Sequence, residues 1–577
     1  MIRGAFLVAA PLLSAFVAWQ AIVSPLLNPN QLRLPPQQQV QTRLPKLGVH
    51  TRLTDEVEQS KIQRTLEMVR EMGAAWDVEY FPWNYIQRNG PKDWDWAHAD
   101  LVVNHAHQQG LHLIVRLDGV PDWARPRLMT AHSLLMPQRY ADFARFASAF
   151  AQRYRGKVDA YVIWNEPNVD YEWGYRKPDP AGYADLLRAV YPRLKQADPQ
   201  ALVLAAALAP NGEHSNQALD DLDYLQQLYA AGGGKFFDGI AAHAYGWQHP
   251  PDEAPSPDQI NFRRVELERQ IMVENGDAAK QVFITESGWN DYARWVRGVS
   301  PEQRIDYTVE SVKLASQWDW LAAICLWEFR LPVTAHNYND AWTLVHFDFS
   351  PSPTYIALQR LARPNPPDHW QPFVEQPAEP SFSERAAGFV GGVFDGLGRW
   401  LDGKRYRLEC RFSDCRVPPD ISLQQVQAAG VLRVVMDASF PPLETVQPNG
   451  QLGGVDVEVA KGIARALGVQ LQLTNMSSDG LKDAVFAGKA DAIVSSFQIV
   501  PEWEKELGYS EIYYEDHIPE TYGLDALGKP ATRIDMVDYV VAVRAGRNKL
   551  LKAINAALGS MMDSGQLQAL TGQQYWR

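Results

Sequence analysis

Cysteine is scarce in this chain, with 3 among 577 residues. That excludes a fold held together by a framework of disulfides. Positive charge is in deficit: 55 lysines and arginines face 68 aspartates and glutamates, a formal net charge of −13. No basic stripe offsets that balance, which argues against nucleic acid as a partner. Metal-ligand spacings are missing as well, since His105, His107 and His112 read as helix and loop surface, so neither a metal nor a cofactor is expected. Long apolar runs are absent with one exception. After Arg3 the stretch GAFLVAAPLLSAFVAWQAIVSPLL carries no charge and is long enough to span a bilayer. Its candidate small-x-small cleavage site is poor, so an uncleaved anchor over residues 1–28 is preferred to a removed signal. On either reading the rest of the chain is exported: tethered to the membrane in the first case, secreted in the second.

What is present is a globular composition, 46% hydrophobic and 11% aromatic. A Pro/Gln-rich stretch over residues 29–44 reads as an extended spacer. From residue 45 to 365, strand-like and helix-like segments alternate eight times. LGVHT, AAWDVEYF, LHLIVRLD, DAYVIWNE, ALVLAAAL, FDGIAAHAYG, QVFITES and AAICLWEF supply the strands, and TYIALQRLA the last helix. Eight βα units in this order predict an α/β fold of the TIM (β/α)8 barrel type, closed by right-handed crossovers. Cys325, inside AAICLWEF, reads as a small core residue.

Two of those strands end in glutamate. DAYVIWNEPN places Asn165 and Glu166 where an apolar run stops, and KQVFITESGWN does the same with Glu286 and, three residues on, Trp289. Side chains at the carboxyl ends of barrel strands face the active site. Two carboxylates converging there supply a proton donor for a leaving oxygen and a nucleophile or base, the pair that glycoside hydrolysis needs. His243 and Tyr245 alternate onto the same face at the end of strand six. Trp327 ends strand eight as a candidate stacking floor for a sugar ring. His50, Glu79, Arg116 and Asp118, at the ends of strands one to three, are candidate hydroxyl ligands.

With these residues in place, the barrel resembles the retaining glycosidases of the large clan that carries its acid/base on strand four and its nucleophile on strand seven. Families 39 and 5 are the nearest in look, and bacterial endoglycosidases that act on secreted exopolysaccharide nearer still. The resemblance implies that Glu166 is the acid/base and Glu286 the nucleophile, that Asn165 holds the sugar 2-hydroxyl, and that Tyr245 lies against Glu286 and orients it.

Residues 366–417 form a linker, Pro-rich at first and then a Gly-rich helix with apolar residues at helical spacing. Cys410 and Cys415 lie within it and could close a small loop in an oxidising compartment. Residues 418–577 resemble an extracellular solute-binding protein of family 3, through AAGVLRVVMDASFPPLE, DGLKDAVFAGKADAIVSSFQIVPEW and the closing YVVAVRAGRNKLLKAINAAL. The resemblance is to a truncated member. Between Tyr514 and Asp538 there is room only for a short connection where the family carries a second lobe. The family's ligand-carboxylate arginine position holds Trp503. Phe440, Asp456, Ser495 and Ser496 would border the former cleft, whose face is expected to pack on the barrel, on the Gly-rich helix or on a partner. A small ligand or a protein partner at this lobe stays open.

The expectation is therefore a retaining endo-β-glycosidase that hydrolyses an extracellular polysaccharide or oligosaccharide. The alternatives are a barrel that binds glycans without cleaving them, and a ligand sensor in which the C-terminal lobe is the functional module.

Overall fold

The computed structural model describes residues 34–126, 131–335, 338–366, 420–447, 449–500, 503, 505–524 and 530–572. The stretch read as an anchor, the Gly-rich helix, Cys410 and Cys415 lie outside them. No helix of the described residues is long and apolar enough to cross a membrane.

Strands β1 (Leu47–His50), β2 (Trp76–Pro82), β3 (His112–Asp118), β4 (Ala160–Ile163), β5 (Leu202–Ala205), β6 (Gly239–Tyr245), β7 (Gln281–Gly288) and β8 (Leu321–Leu326) close a parallel barrel in sequence order. Most of them read as apolar runs because both faces are covered, although β2 carries Asp77 and Glu79 and β3 carries Arg116. The inward face is filled by small and medium side chains, among them Val78, Ile114, Val162, Leu204, Ala241 and Cys325. The outward face packs on the helices in a second, larger core. Three of those helices start in the same way. Asp179–Pro180, Ser300–Pro301 and Ser352–Pro353 each set an accepting side chain at the cap and a proline at the first helical position, where its missing N–H costs nothing.

The C-terminal lobe is a separate α/β unit. Strands β9 (Val431–Met436), β10 (Ser439–Phe440), β11 (Glu444–Val446), β12 (Leu452–Gly453), β13 (Gln470–Asn475), β14 (Ala492–Phe497), β15 (Leu507–Tyr509), β16 (Tyr514–Leu524) and β17 (Pro530–Arg544) form two sheets. The main sheet runs β13-β9-β14-β17-β15, and β10-β11-β12 makes a small antiparallel sheet beside it. Where a second lobe was expected to be missing, β16 and β17 pair directly as an antiparallel ribbon.

The lobe is not a free appendage. Phe440 packs between Tyr292 and Tyr338 of the barrel, and Trp295 stacks on Tyr338 with the rings 5.0 Å apart and nearly parallel. The Val296 amide donates to the Ser439 carbonyl, and the Trp295 indole to Ser439 Oγ. Trp503, by contrast, packs within its own domain, stacked on Phe497 with the Lys482 ammonium over its ring.

Candidate active site

The end of β4 turns sharply. Trp164 and Glu166 both take the left-handed backbone conformation, with φ of 79° and 35°. Each such residue costs about 1–3 kcal/mol, and strain of this kind gathers where a side chain has to be aimed. A register shift in the β6–β7 pairing just before His243 sets that residue opposite Glu286. Bulges next to active sites re-aim side chains in this way.

The imidazole of His243 lies between the two carboxylates. Its Nδ1 is 2.7 Å from Glu166 Oε1 and its Nε2 is 3.4 Å from Glu286 Oε1. Burial would lower the pKa of this ring; the Glu286 charge and the hydrogen bond with Glu166 outweigh burial and hold it above 6.5. On the far side of Glu286, the Tyr245 hydroxyl donates to Oε2 at 2.6 Å. The Arg116 guanidinium reaches Glu286 Oε1 at 3.5 Å and Asn165 Oδ1 at 3.2 Å, pairs with Asp118 at 3.3 Å, and sits over the Tyr80 ring. The carboxylate side chains of Glu166 and Glu286 keep 15% and 8% of their surface exposed.

Asn165 is held at both ends of its amide, accepting from Arg116 and donating to Glu172 at 3.1 Å. Glu172, in the loop after β4, escaped the sequence reading because nothing in its spacing marks it. Burial, with Asp118 and Glu166 nearby, keeps its carboxyl well above the usual carboxylate range. His50 points its Nε2 toward Glu286 Oε1 at 3.9 Å and meets the Trp327 ring edge-on. Burial, followed by Arg116, holds its pKa well below the ordinary value. Trp327 is half-buried, with Arg52 over its face.

Two candidates stand elsewhere. Glu79 is fully buried, and its oxygens accept from the hydroxyls of Thr51 and Thr54 and from the amides of Leu53, Thr54 and Tyr80. Burial pushes its pKa to about 7. It therefore ties the loop after β1 to β2 and has no oxygen left for a sugar. Trp289 is buried against Phe262 and Tyr307 with its indole on the His249 carbonyl, and Gly246 leaves the space that its ring occupies. His105, read as surface, is buried within its helix.

In the lobe, Asp456, Ser495 and Ser496 are buried in two neighbouring hydrogen-bonded groups. Asp456 accepts from the Ser496 amide and hydroxyl and from the Tyr513 hydroxyl, and burial lifts its pKa to about 6. Ser495 Oγ donates to Glu444 and accepts from the Asp437 amide.

Residues 432–576 match the family model of bacterial extracellular solute-binding proteins, family 3. Similar curated proteins include an L-arginine-binding protein of Pseudomonas aeruginosa, 32% identical over 94 residues, which are 16% of this chain and 36% of that one. The L-cystine-binding protein TcyJ of Escherichia coli is 27% identical over 126 residues, 22% of this chain and 47% of that one. The chain thus spans less than half the length of either relative. Among solved structures, a family 39 glycoside hydrolase from Bacteroides cellulosilyticus is 21% identical, over 55% of this chain and 63% of that one, with a TM-score of 0.45. The arginine-bound form of domain 1 from TmArgBP is 35% identical, over 24% of this chain and 97% of that one, with a TM-score of 0.19. The family match thus lies wholly in the C-terminal lobe, downstream of the closed barrel.

Proposed function

We propose that this chain is an exported retaining β-glycosidase that cleaves a polysaccharide internally by double displacement, tethered through residues 1–28. The observation that supports it most is the arrangement of Glu166 and Glu286 on opposite nitrogens of the His243 ring, with Tyr245 on the second carboxylate. In this reading Glu286 attacks the anomeric carbon while Glu166 gives its proton to the departing glycosidic oxygen. A water then enters, Glu166 takes its proton, and the released hydroxide displaces Glu286 from the sugar. His243 holds a proton beside Glu166, so the pair can resupply the one that leaves. Tyr245 and Arg116 keep Glu286 aimed. Asn165, fixed by Arg116 and Glu172, offers its amide to the sugar 2-hydroxyl, and Trp327 offers its face to the ring.

Screening hydrolysis across bacterial exopolysaccharides, plant β-glucans and β-mannans tests the reading. Release of product that stops in Glu286→Gln supports it; binding without release by the unaltered chain favours a glycan-binding barrel instead.

A second reading comes from the C-terminal match. Relatives named for binding arginine and cystine suggest a small amino-acid ligand at the lobe, and the family is described as extracellular, in keeping with export. Isothermal titration of the full chain with arginine tests it, and tight binding would make the lobe a sensor.

A further inference from the structure

The loops that the C-terminal lobe touches stand on opposite sides of the barrel. On one side it meets the loops after β7 and β8, through Trp295, Val296 and Tyr338. On the other it meets the loops after β3 and β4. The Cβ of a residue at Gly480 would stand 3.5 Å from Cγ of Tyr171, and the Lys489 ammonium sits 5.8 Å from the Tyr175 ring. Asp483 of the same lobe feels the charges of His132 and Arg125. In a ring closed in the order β1 to β8, strands three and four lie across from seven and eight. A body that touches both pairs of loops has to cross the mouth, and the mouth at this end holds Glu166 and Glu286.

The two contacts differ in kind. The β7/β8 side is stacked, apolar and hydrogen-bonded: Phe440 lies among Tyr292 and Tyr338, and the Tyr338 hydroxyl donates to Asp437 Oδ2 at 2.9 Å while accepting from Ser478 Oγ at 2.7 Å. The β3/β4 side is lighter: Tyr175 packs on the lobe's smaller apolar cluster, and the rest is a ring edge, a glycine and charged groups. Breaking the first exposes several stacked aromatic rings and strands buried polar atoms; breaking the second exposes one tyrosine and its apolar seat, with charged groups that water accepts readily. The β7/β8 side is thus suited to be the pivot and the β3/β4 side the edge that lifts.

We propose that the C-terminal lobe is the hinged roof of the active site. It pivots on the loops after β7 and β8 and admits the interior of a polymer only when its edge over the loops after β3 and β4 lifts. This rests on the glycosidase reading for the nature of what passes beneath. With the roof down, a short glycoside or a chain end still reaches the carboxylates, whereas a continuous polysaccharide strand has no open cleft to lie in.

The test uses the full chain with Tyr171→Cys and Gly480→Cys, compared with itself oxidised and reduced. Mass spectrometry should find the cross-link formed without substrate. The oxidised enzyme should lose about tenfold or more of its ability to lower the viscosity of the polymer best hydrolysed in the screen, keep its rate on the 4-nitrophenyl glycoside of the same sugar, and recover on reduction. Failure of the cross-link to form shows that the lobe does not lie across the mouth. Formation with equal viscosity loss in both states shows that it lies there without gating. If the unaltered chain cleaves no carbohydrate, the glycosidase reading falls, and the cross-link yield still decides whether the roof is in place.

Discussion

The ring of Tyr245 does two things at once: its hydroxyl donates to Glu286 Oε2 at 2.6 Å, and it packs at a tilt against Trp342, with the rings 5.2 Å apart. Trp342 in turn packs on Trp295, which donates to Ser439 of the lobe. The proposed nucleophile is therefore oriented by a tyrosine that is itself seated on the interface between the two domains. Tyr245→Phe should lower kcat by about 10- to 100-fold with little change in KM, because Glu286 is no longer held in line for attack and the charge that returns to it as the glycosyl-enzyme is hydrolysed loses a donor. Steady-state kinetics on an aryl glycoside checks it, and a rise in KM at constant kcat would contradict it.

Glu286→Gln should abolish turnover on every substrate. Glu166→Ala should spare the first step on substrates with a good leaving group, since protonation matters less there. Azide should restore turnover of that variant and yield a glycosyl azide of retained configuration. Equal loss on activated and natural substrates, with no rescue, would mean that the two roles are misassigned.

The first product released should keep the anomeric configuration of the substrate, as expected for carboxyl groups about 5–5.5 Å apart. NMR during the first minutes of hydrolysis reads this directly, and an inverted product would remove the covalent intermediate from the mechanism.

His243 carries a pH signature. Glu286 and the hydrogen bond with Glu166 hold its folded pKa above 6.5 despite burial. A group that binds its proton more tightly when folded contributes its full stability below its unfolded pKa and loses it as pH rises through the folded one. The melting temperature of the unaltered chain should therefore fall as pH rises above 6.5, and that fall should be shallower in His243→Gln. Parallel slopes in the two proteins would show that the ring is not held protonated.

Much of this was legible in the sequence because it repeats. Eight apolar runs spaced by helices gave the barrel, and strand alternation carried Glu166, His243, Tyr245 and Glu286 to one end. Glu79 obeys the same alternation, yet it is consumed by Thr51 and Thr54, which belong to a loop whose path no periodicity encodes. Trp289 was legible as an aromatic near the site but not as core, because the space for its ring exists only where Gly246 approaches it. Glu172 and Trp342 lie in loops, so their convergence on Asn165 and Tyr245 depends on tertiary closure alone.

The aromatic cluster of Trp295, Tyr338, Trp342 and Phe440 draws three residues from the barrel and one from the lobe, all of them buried. A core shared across a domain boundary makes the two halves each other's solvent shield. Cutting the chain at the linker would then leave each half with a sticky, water-facing patch in place of a finished surface, the kind of patch that drives association. The modular look of the sequence is misleading for anyone cloning it: the stretch that reads as a spare domain is, for the barrel beneath it, part of what keeps it dispersed.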